Sequence, residues 1–138
     1  MTSSSGDAET VDSPSSPRAI VAGHGTFPEG IIDAVSQISG CGDVFLAISN
    51  TGMSGSDIEE KLRAASAGIR VFFTDLPGGS ATLAVRKLMR TDPGIVLVTG
   101  ANLATLLEFA FQTDADPCEA ARRSADKGRA ALVAYGGA

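Results

Sequence analysis

The stretch "IRVFFTDLPGGSATLAVRKLM", residues 69–89, opens as a near-continuous apolar run, turns through a glycine-rich loop and closes in an amphipathic pattern. An apolar run with no polar alternation marks a strand buried on both faces, the environment of a parallel sheet covered by helices. The helical part carries Leu83, Val85, Leu88 and Met89 and stops before Asp92-Pro93-Gly94, a breaker cluster. The strand delivers Asp75 at its carboxyl end, directly before the loop.

The same order recurs on both sides. Upstream, residues 19–22 form a first strand, and Thr26 and Glu29 read as a T-x-x-E capping box with Pro28 in the first turn. That helix places Ile31, Ile32, Val35 and Ile38 on one face and stops at Gly40. Residues 44–49 form a second strand, and Ser56 with Glu59 reads as a second capping box, opening a helix with Ile58, Leu62 and Ala65 that ends at Gly68. Downstream, residues 95–99 form a fourth strand, followed by a helix whose apolar stripe is Leu103, Leu106, Leu107, Ala110 and Phe111. Asp116, Pro117 and Glu119 signal the start of a last helix. After Gly128 the run "RAALVAY", residues 129–135, fits a helix or a short edge strand, and periodicity does not separate them. Strands alternating with helices predict an α/β domain over residues 18–138.

The opening residues 1–17 are rich in serine, proline and acidic side chains and nearly free of large apolar ones, so a disordered tail is expected there. With 138 residues, 43% of them hydrophobic and 20% charged, the chain suits one soluble domain. A net charge of -5 argues against nucleic acid as a partner. No apolar stretch approaches the roughly 20 residues of a membrane span, and no secretory signal pattern opens the chain, so a cytoplasmic protein without membrane insertion is expected. Cys41 and Cys118 lack the spacing of a zinc site or a redox pair.

Three strand ends deliver polar groups: Gly23-His24-Gly25, Asp75 with Gly78-Gly79-Ser80, and Gly100 with Asn102. In open α/β sheets the functional crevice lies at the carboxyl ends of the strands where strand order reverses. A 2-1-3-4 order, which the sequence does not show, would bring His24 and Asp75 together there. A carboxylate beside an imidazole accepts the Nδ1 hydrogen and leaves Nε2 as the nucleophile. A phosphoryl group on Nε2 would lie near helix N-termini, which suit an anion. A lone loop histidine is most often solvated or simply hydrogen-bonded, and the residues alone favour that reading over the phosphohistidine.

The segments "AIVAGHGTFPEGIIDAV", "VFFTDLPGGSATLAVRKL" and "VLVTGANLATLLE" resemble the IIA domains of the mannose-type family of the phosphoenolpyruvate-dependent sugar phosphotransferase system. That family carries a strand ending in H-G, a T-D-L-x-G-G-S block and a G-x-N-x-P-M-L block, in this order. The resemblance spans essentially all of residues 18–138. It implies a three-layer α/β/α fold with a four-stranded parallel sheet, and a C-terminal antiparallel edge strand exchanged in a homodimer, with "RAALVAY" in that place. It implies that His24 takes a phosphoryl group from the histidine phosphocarrier protein and passes it to a IIB domain, and that Asp75 orients His24. Gly25, Gly78, Gly79, Ser80 and Asn102 match the phosphate and partner surface. Ser80 and Asn102 equally suit helix caps. No metal, nucleotide or organic cofactor is implied. Where the family has S-P-F-N, the chain has Ser80-Ala81-Thr82-Leu83; where it has N-x-P-M, the chain has Asn102-Leu103-Ala104-Thr105.

An alternative keeps the phosphohistidine but makes the protein a regulator that signals phosphotransferase status without sugar transport. A nucleotide- or flavin-binding module is disfavoured, since neither G-x-G-x-x-G nor a Walker motif follows the first strand.

Overall fold

Val71, Phe72 and Phe73 are all fully buried, which requires helices on both sides of the strand that carries them, since successive side chains point to opposite faces. The computed structural model describes residues 17–138. The tail expected over residues 1–17 lies, except for Pro17, outside the described residues. The elements are β1 (Ala19–Gly23), α1 (Phe27–Ser39), a 3₁₀ turn (Gly42–Val44), β2 (Phe45–Ser49), α2 (Gly55–Ala65), β3 (Val71–Thr74), α3 (Ser80–Thr91), β4 (Val96–Val98), α4 (Leu103–Phe111) and α5 (Pro117–Ala131).

The four strands are all parallel in the order β2-β1-β3-β4, which is the 2-1-3-4 arrangement. On one face Val21, Phe45, Phe73 and Val98 pack with Val35 of α1, Leu106 and Phe109 of α4 and Ala120 of α5. On the other, Ile20, Ile48 and Phe72 pack with Ile58 and Leu62 of α2 and Val85 and Leu88 of α3. The domain is therefore a three-layer α/β/α sandwich. Phe45, Phe73 and Phe109 form an aromatic cluster with centroids 5.2 to 6.0 Å apart, a spacing at which ring edges meet ring faces.

Several local expectations change. Thr26 is the N-cap of α1, but its side chain accepts no cap hydrogen bond. Its backbone (φ -92°, ψ 10°) is not extended, and an N-cap side chain needs the extended form to reach the first-turn amides. At α2 the capping box is Ser54 with Asp57, not Ser56 with Glu59: Ser54 Oγ accepts from the Asp57 N–H at 3.1 Å, and Asp57 Oδ2 accepts from the Ser54 N–H at 3.1 Å. Ser54 is extended (ψ 170°) and Ser56 is already inside the helix. In α4 Leu106, Phe109 and Ala110 are buried and Leu103 and Leu107 pack half-buried against them, while Phe111 is exposed, because spacings of three and four from Leu106 face the sheet and the fifth position turns away. Ile38 is exposed in the last turn of α1, beyond Val35, and Leu83 faces outward from α3.

Gly128 does not end α5. A Cβ there would lie 1.9 Å from Thr105 Oγ1, so the glycine serves the close approach of α5 to the start of α4. Residues 129–131 accordingly finish the helix. Residues 132–138 have no regular structure, and Leu132, Val133 and Tyr135 are exposed. Among the described residues no helix is long and apolar enough to cross a membrane.

Candidate functional site

Strands β1 and β3 are neighbours, with Ala22 paired to Thr74, and the chain reverses its direction of strand addition between them. Their carboxyl ends release His24 and Asp75 side by side. One oxygen, Asp75 Oδ2, accepts from the His24 backbone N–H at 2.8 Å and lies 2.7 Å from His24 Nδ1. An ionised carboxylate only accepts, so Nδ1 carries the hydrogen and the neutral ring has its lone pair on Nε2. The His24 side chain is 55% exposed against 12% for Asp75. The arrangement is a half-exposed imidazole held through Nδ1, with no partner for Nε2 among the described residues.

Burial is the largest influence on Asp75 and raises its pKa, but contacts with His24 outweigh it. The backbone N–H, the ring hydrogen bond and the charge the ring carries when protonated together bring the carboxyl below its ordinary value, and the Leu76 amide adds to them without reaching hydrogen-bond geometry. Oδ1 is buried without a hydrogen-bond partner. The carboxylate thus directs its interactions through a single oxygen.

Two glycines make this approach possible. A Cβ on Gly23 would meet Asp75 Cγ and Oδ2 at 2.7 Å, and one on Gly79 would meet His24 Cε1 at 3.0 Å. Gly25 lies in the left-handed region at φ +53°, where the chain turns from β1 into α1. Gly78 is surrounded by open space.

Ser80 is the first residue of α3 and not its cap; Gly79 holds the cap position. The Ser80 hydroxyl accepts a hydrogen bond from Asn50 Nδ2 at 2.7 Å. Asn50 was not singled out in the sequence; its position just after β2, beside the end of β1, was the available signal. Asn102 follows Ala101, whose N–H donates to the Thr74 carbonyl at 3.0 Å, and its own side chain is engaged locally: its Oδ1 accepts from the Thr105 N–H at 2.9 Å and its Nδ2 donates to the Gly128 carbonyl at 2.9 Å. Its polar atoms cap α4 and tie that helix to α5.

The helix starts divide by place. Ser54, Asn102 and Asp116 cap α2, α4 and α5 with their side chains, whereas α1 and α3, the two helices flanking His24, have no side-chain cap. The helix dipoles favour an anion there, although in α1 the Phe27 N–H already donates to the His24 carbonyl at 3.0 Å and Pro28 has no N–H. A groove of about 520 Å³ runs from Ser80 along the outer side of α3, past Leu83, Lys87 and Arg90, and neither His24 nor Asp75 lines it. The histidine stands on an open surface, accessible to a macromolecule. Among the described residues no group of three or more His, Cys, Asp and Glu side chains is placed to hold a metal ion.

The model of a protein family described as the PTS system fructose IIA component matches residues 18–125. The chain belongs to this IIA family. Solved structures agree in fold. The mannose/sorbose-specific IIA subunit from Enterococcus faecalis is 22% identical with a TM-score of 0.74, over 88% of this chain and 96% of that one. The phosphotransferase component EIIA from Streptococcus agalactiae is 25% identical with a TM-score of 0.70, over 80% and 93%. A IIA protein associated with the fucose utilisation operon of Streptococcus pneumoniae is 19% identical with a TM-score of 0.72, over 86% and 93%. No curated protein matches the chain.

Within this IIA domain the two departures from the family blocks have structural uses. Ala81 is fully buried, and the buried Thr82 hydroxyl lies 2.6 Å from Thr74 Oγ1 and donates to the Leu76 carbonyl. Thr105 completes the Asn102 cap. The replacements thus brace the loop after Asp75 and the start of α4.

Proposed function

We propose that this IIA protein carries a phosphoryl group on His24 Nε2, receiving it from the histidine phosphocarrier protein and passing it to a IIB partner of a sugar phosphotransferase system. The observation that carries this reading is the double use of Asp75 Oδ2, which holds both the backbone and the Nδ1 hydrogen of His24. With the tautomer held, the Nε2 lone pair attacks phosphorus while the donor's nitrogen–phosphorus bond breaks, its electron pair staying on the donor nitrogen. His24 becomes a phosphoimidazolium that keeps its Nδ1 hydrogen, and a donor phosphoimidazolium leaves as neutral imidazole, so no proton need be exchanged. Asp75 faces the positive charge that forms on the ring. The phosphoryl oxygens lie toward the uncapped starts of α1 and α3, with Ser80 and the amides around Gly25, Gly78 and Gly79 at hand and Asn102 bracing the neighbouring helix start. Positioning supplies most of the catalysis, as is general for phosphoryl transfer.

The exchange belongs in the cytoplasm, where both partners work, and between homodimers. The exposed Leu132, Val133 and Tyr135 beyond α5 supply the apolar segment that a second copy would cover.

The test is labelling from phosphoenolpyruvate through the general phosphotransferase enzyme and its phosphocarrier. An acid-labile label is expected on the wild type and none on His24→Ala. A mutant labelled as fast as the wild type removes His24 from the reaction.

A further inference from the structure

Directly after Gly79, which lies against His24 Cε1, stands Ser80, a hydroxyl whose hydrogen has no acceptor among the described residues. A serine hydroxyl offers one hydrogen and two lone pairs, and Asn50 Nδ2 occupies a lone pair of Ser80 at 2.7 Å. A serine in the first turn of a helix can return its hydrogen to the carbonyl four residues back. That carbonyl belongs to Leu76 and already accepts from Thr82 Oγ1. Among the described residues Ser80 Oγ has no partner other than Asn50. Ser80 follows Gly79, whose backbone lies against His24 Cε1, and it opens a helix with no side-chain cap.

Asn50 is itself fixed to the strand that carries the histidine. Its backbone N–H donates to the Gly23 carbonyl at 2.9 Å, and its own carbonyl accepts from the Met53 N–H at 3.0 Å. The side chain therefore bridges the end of β1 and the start of α3, the two segments on either side of His24.

We infer that Asn50 is a positioning residue that, by donating to Ser80 Oγ, commits the Ser80 hydrogen to the phosphoryl group on His24. The inference rests on the phosphohistidine reading above. It makes the direction of one hydrogen bond matter. Asn50→Asp keeps the shape but can only accept when ionised, so Ser80 would turn its hydrogen toward residue 50 and away from phosphate. Asn50→Ala leaves the Ser80 hydrogen free but unheld.

The experiment compares initial rates of His24 labelling from phosphoenolpyruvate, the general enzyme and phosphocarrier for wild type, both Asn50 variants and Ser80→Ala, with thermal melts to verify folding. For Asn50→Asp we expect kcat to fall about tenfold and for Asn50→Ala about threefold, with KM for the phosphocarrier nearly unchanged. A bond that only braces the loop gives the opposite order, because aspartate still bridges to Ser80 and alanine does not. In the Ser80→Ala background the gap between the two Asn50 variants should shrink to the effect of the added charge. Alanine falling as far as aspartate or further, or a gap undiminished without the Ser80 hydroxyl, overturns the inference and leaves the phosphohistidine intact. Failure of the wild type to be labelled overturns both.

Discussion

Replacing Gly23 with alanine adds one carbon at the point where the structure has least room. The new Cβ would lie 2.7 Å from both Cγ and Oδ2 of Asp75, whereas ordinary contact begins at 3.4 Å, so the carboxylate must retreat by about 0.7 Å. The hydrogen bonds it accepts from His24 measure 2.8 and 2.7 Å, and the same displacement takes both to the limit of useful geometry. Hydrogen bonds to a charged group contribute about 1.5–3 kcal/mol when well protected; with the ring half in water the pair together should cost about 2 kcal/mol. For a domain of this size that corresponds to a fall in Tm of about 6–10 °C. The more telling measurement is the state of the ring. His24 is the only histidine, so the imidazole nitrogens in an NMR spectrum belong to it alone. The wild type should show a single Nδ1–H tautomer and Gly23→Ala a mixture, with labelling slowed in proportion. Gly79→Ala, which crowds only the ring edge at 3.0 Å, should shift the ring with a smaller loss of stability. A Gly23→Ala protein with a wild-type melt and an unmixed Nδ1–H tautomer would falsify the argument that the glycine exists to admit Asp75.

Asp75→Asn should keep the Nδ1–H tautomer, since the His24 backbone N–H selects the amide oxygen, but lose the charge, lowering the labelling rate about tenfold; a rate equal to wild type refutes a role for that charge. Because the folded pKa of Asp75 is lowered, its ionisation stabilises the protein above the ordinary carboxylate value of 3.8 and that contribution fades as pH falls through the lowered one. The gap in Tm between wild type and Asp75→Asn should therefore narrow on acidification, and a gap that widens would show the sign to be wrong. Gly128→Ala should destabilise by about 1–2 kcal/mol, overpacking against the Asn102 cap partly offset by better helix propensity, while the rate of His24 labelling per folded molecule stays unchanged. If the proposed homodimer forms through residues 132–138, the full chain should sediment as a dimer and a chain ending after Ala131 as a monomer; a monomeric full chain removes the dimer, and a dimer that survives the truncation excludes that segment from the interface.

Much of the fold was legible because its signals are local. An unbroken apolar run such as "VFF" and a glycine or proline cluster after a helical stripe act through neighbouring residues, so strands β1 to β4 and the helices between them could be placed from the chain alone. So could the release of His24 and Asp75 from strand ends, and the Asp116 cap, whose oxygen accepts from Glu119 N–H at 3.2 Å. The meeting of those two residues was another matter. Periodicity left the strand order open: the placement of both residues at strand ends suggests the pair only under an assumed 2-1-3-4 order, and the resemblance of three blocks to the IIA family adds the weight that spacing lacks. Capping was misplaced where several serines and acids crowd together, as at Ser54 and Ser56, since only the backbone conformation selects the residue able to reach the amides.

Tertiary structure alone decided the contacts between segments far apart in the chain. Residues 24 and 75 share one carboxylate oxygen, residues 50 and 80 share one hydroxyl, and Gly128 yields its side-chain space to Asn102 and Thr105. Each depends on which elements lie side by side, and that is settled by the joint burial of both sheet faces. The sequence by itself determined which segments are strands and helices and which polar residues stand at their ends. Packing determined that Asn102 is held by its own helix start and α5, and that Asn50, with nothing local to mark it, faces Ser80.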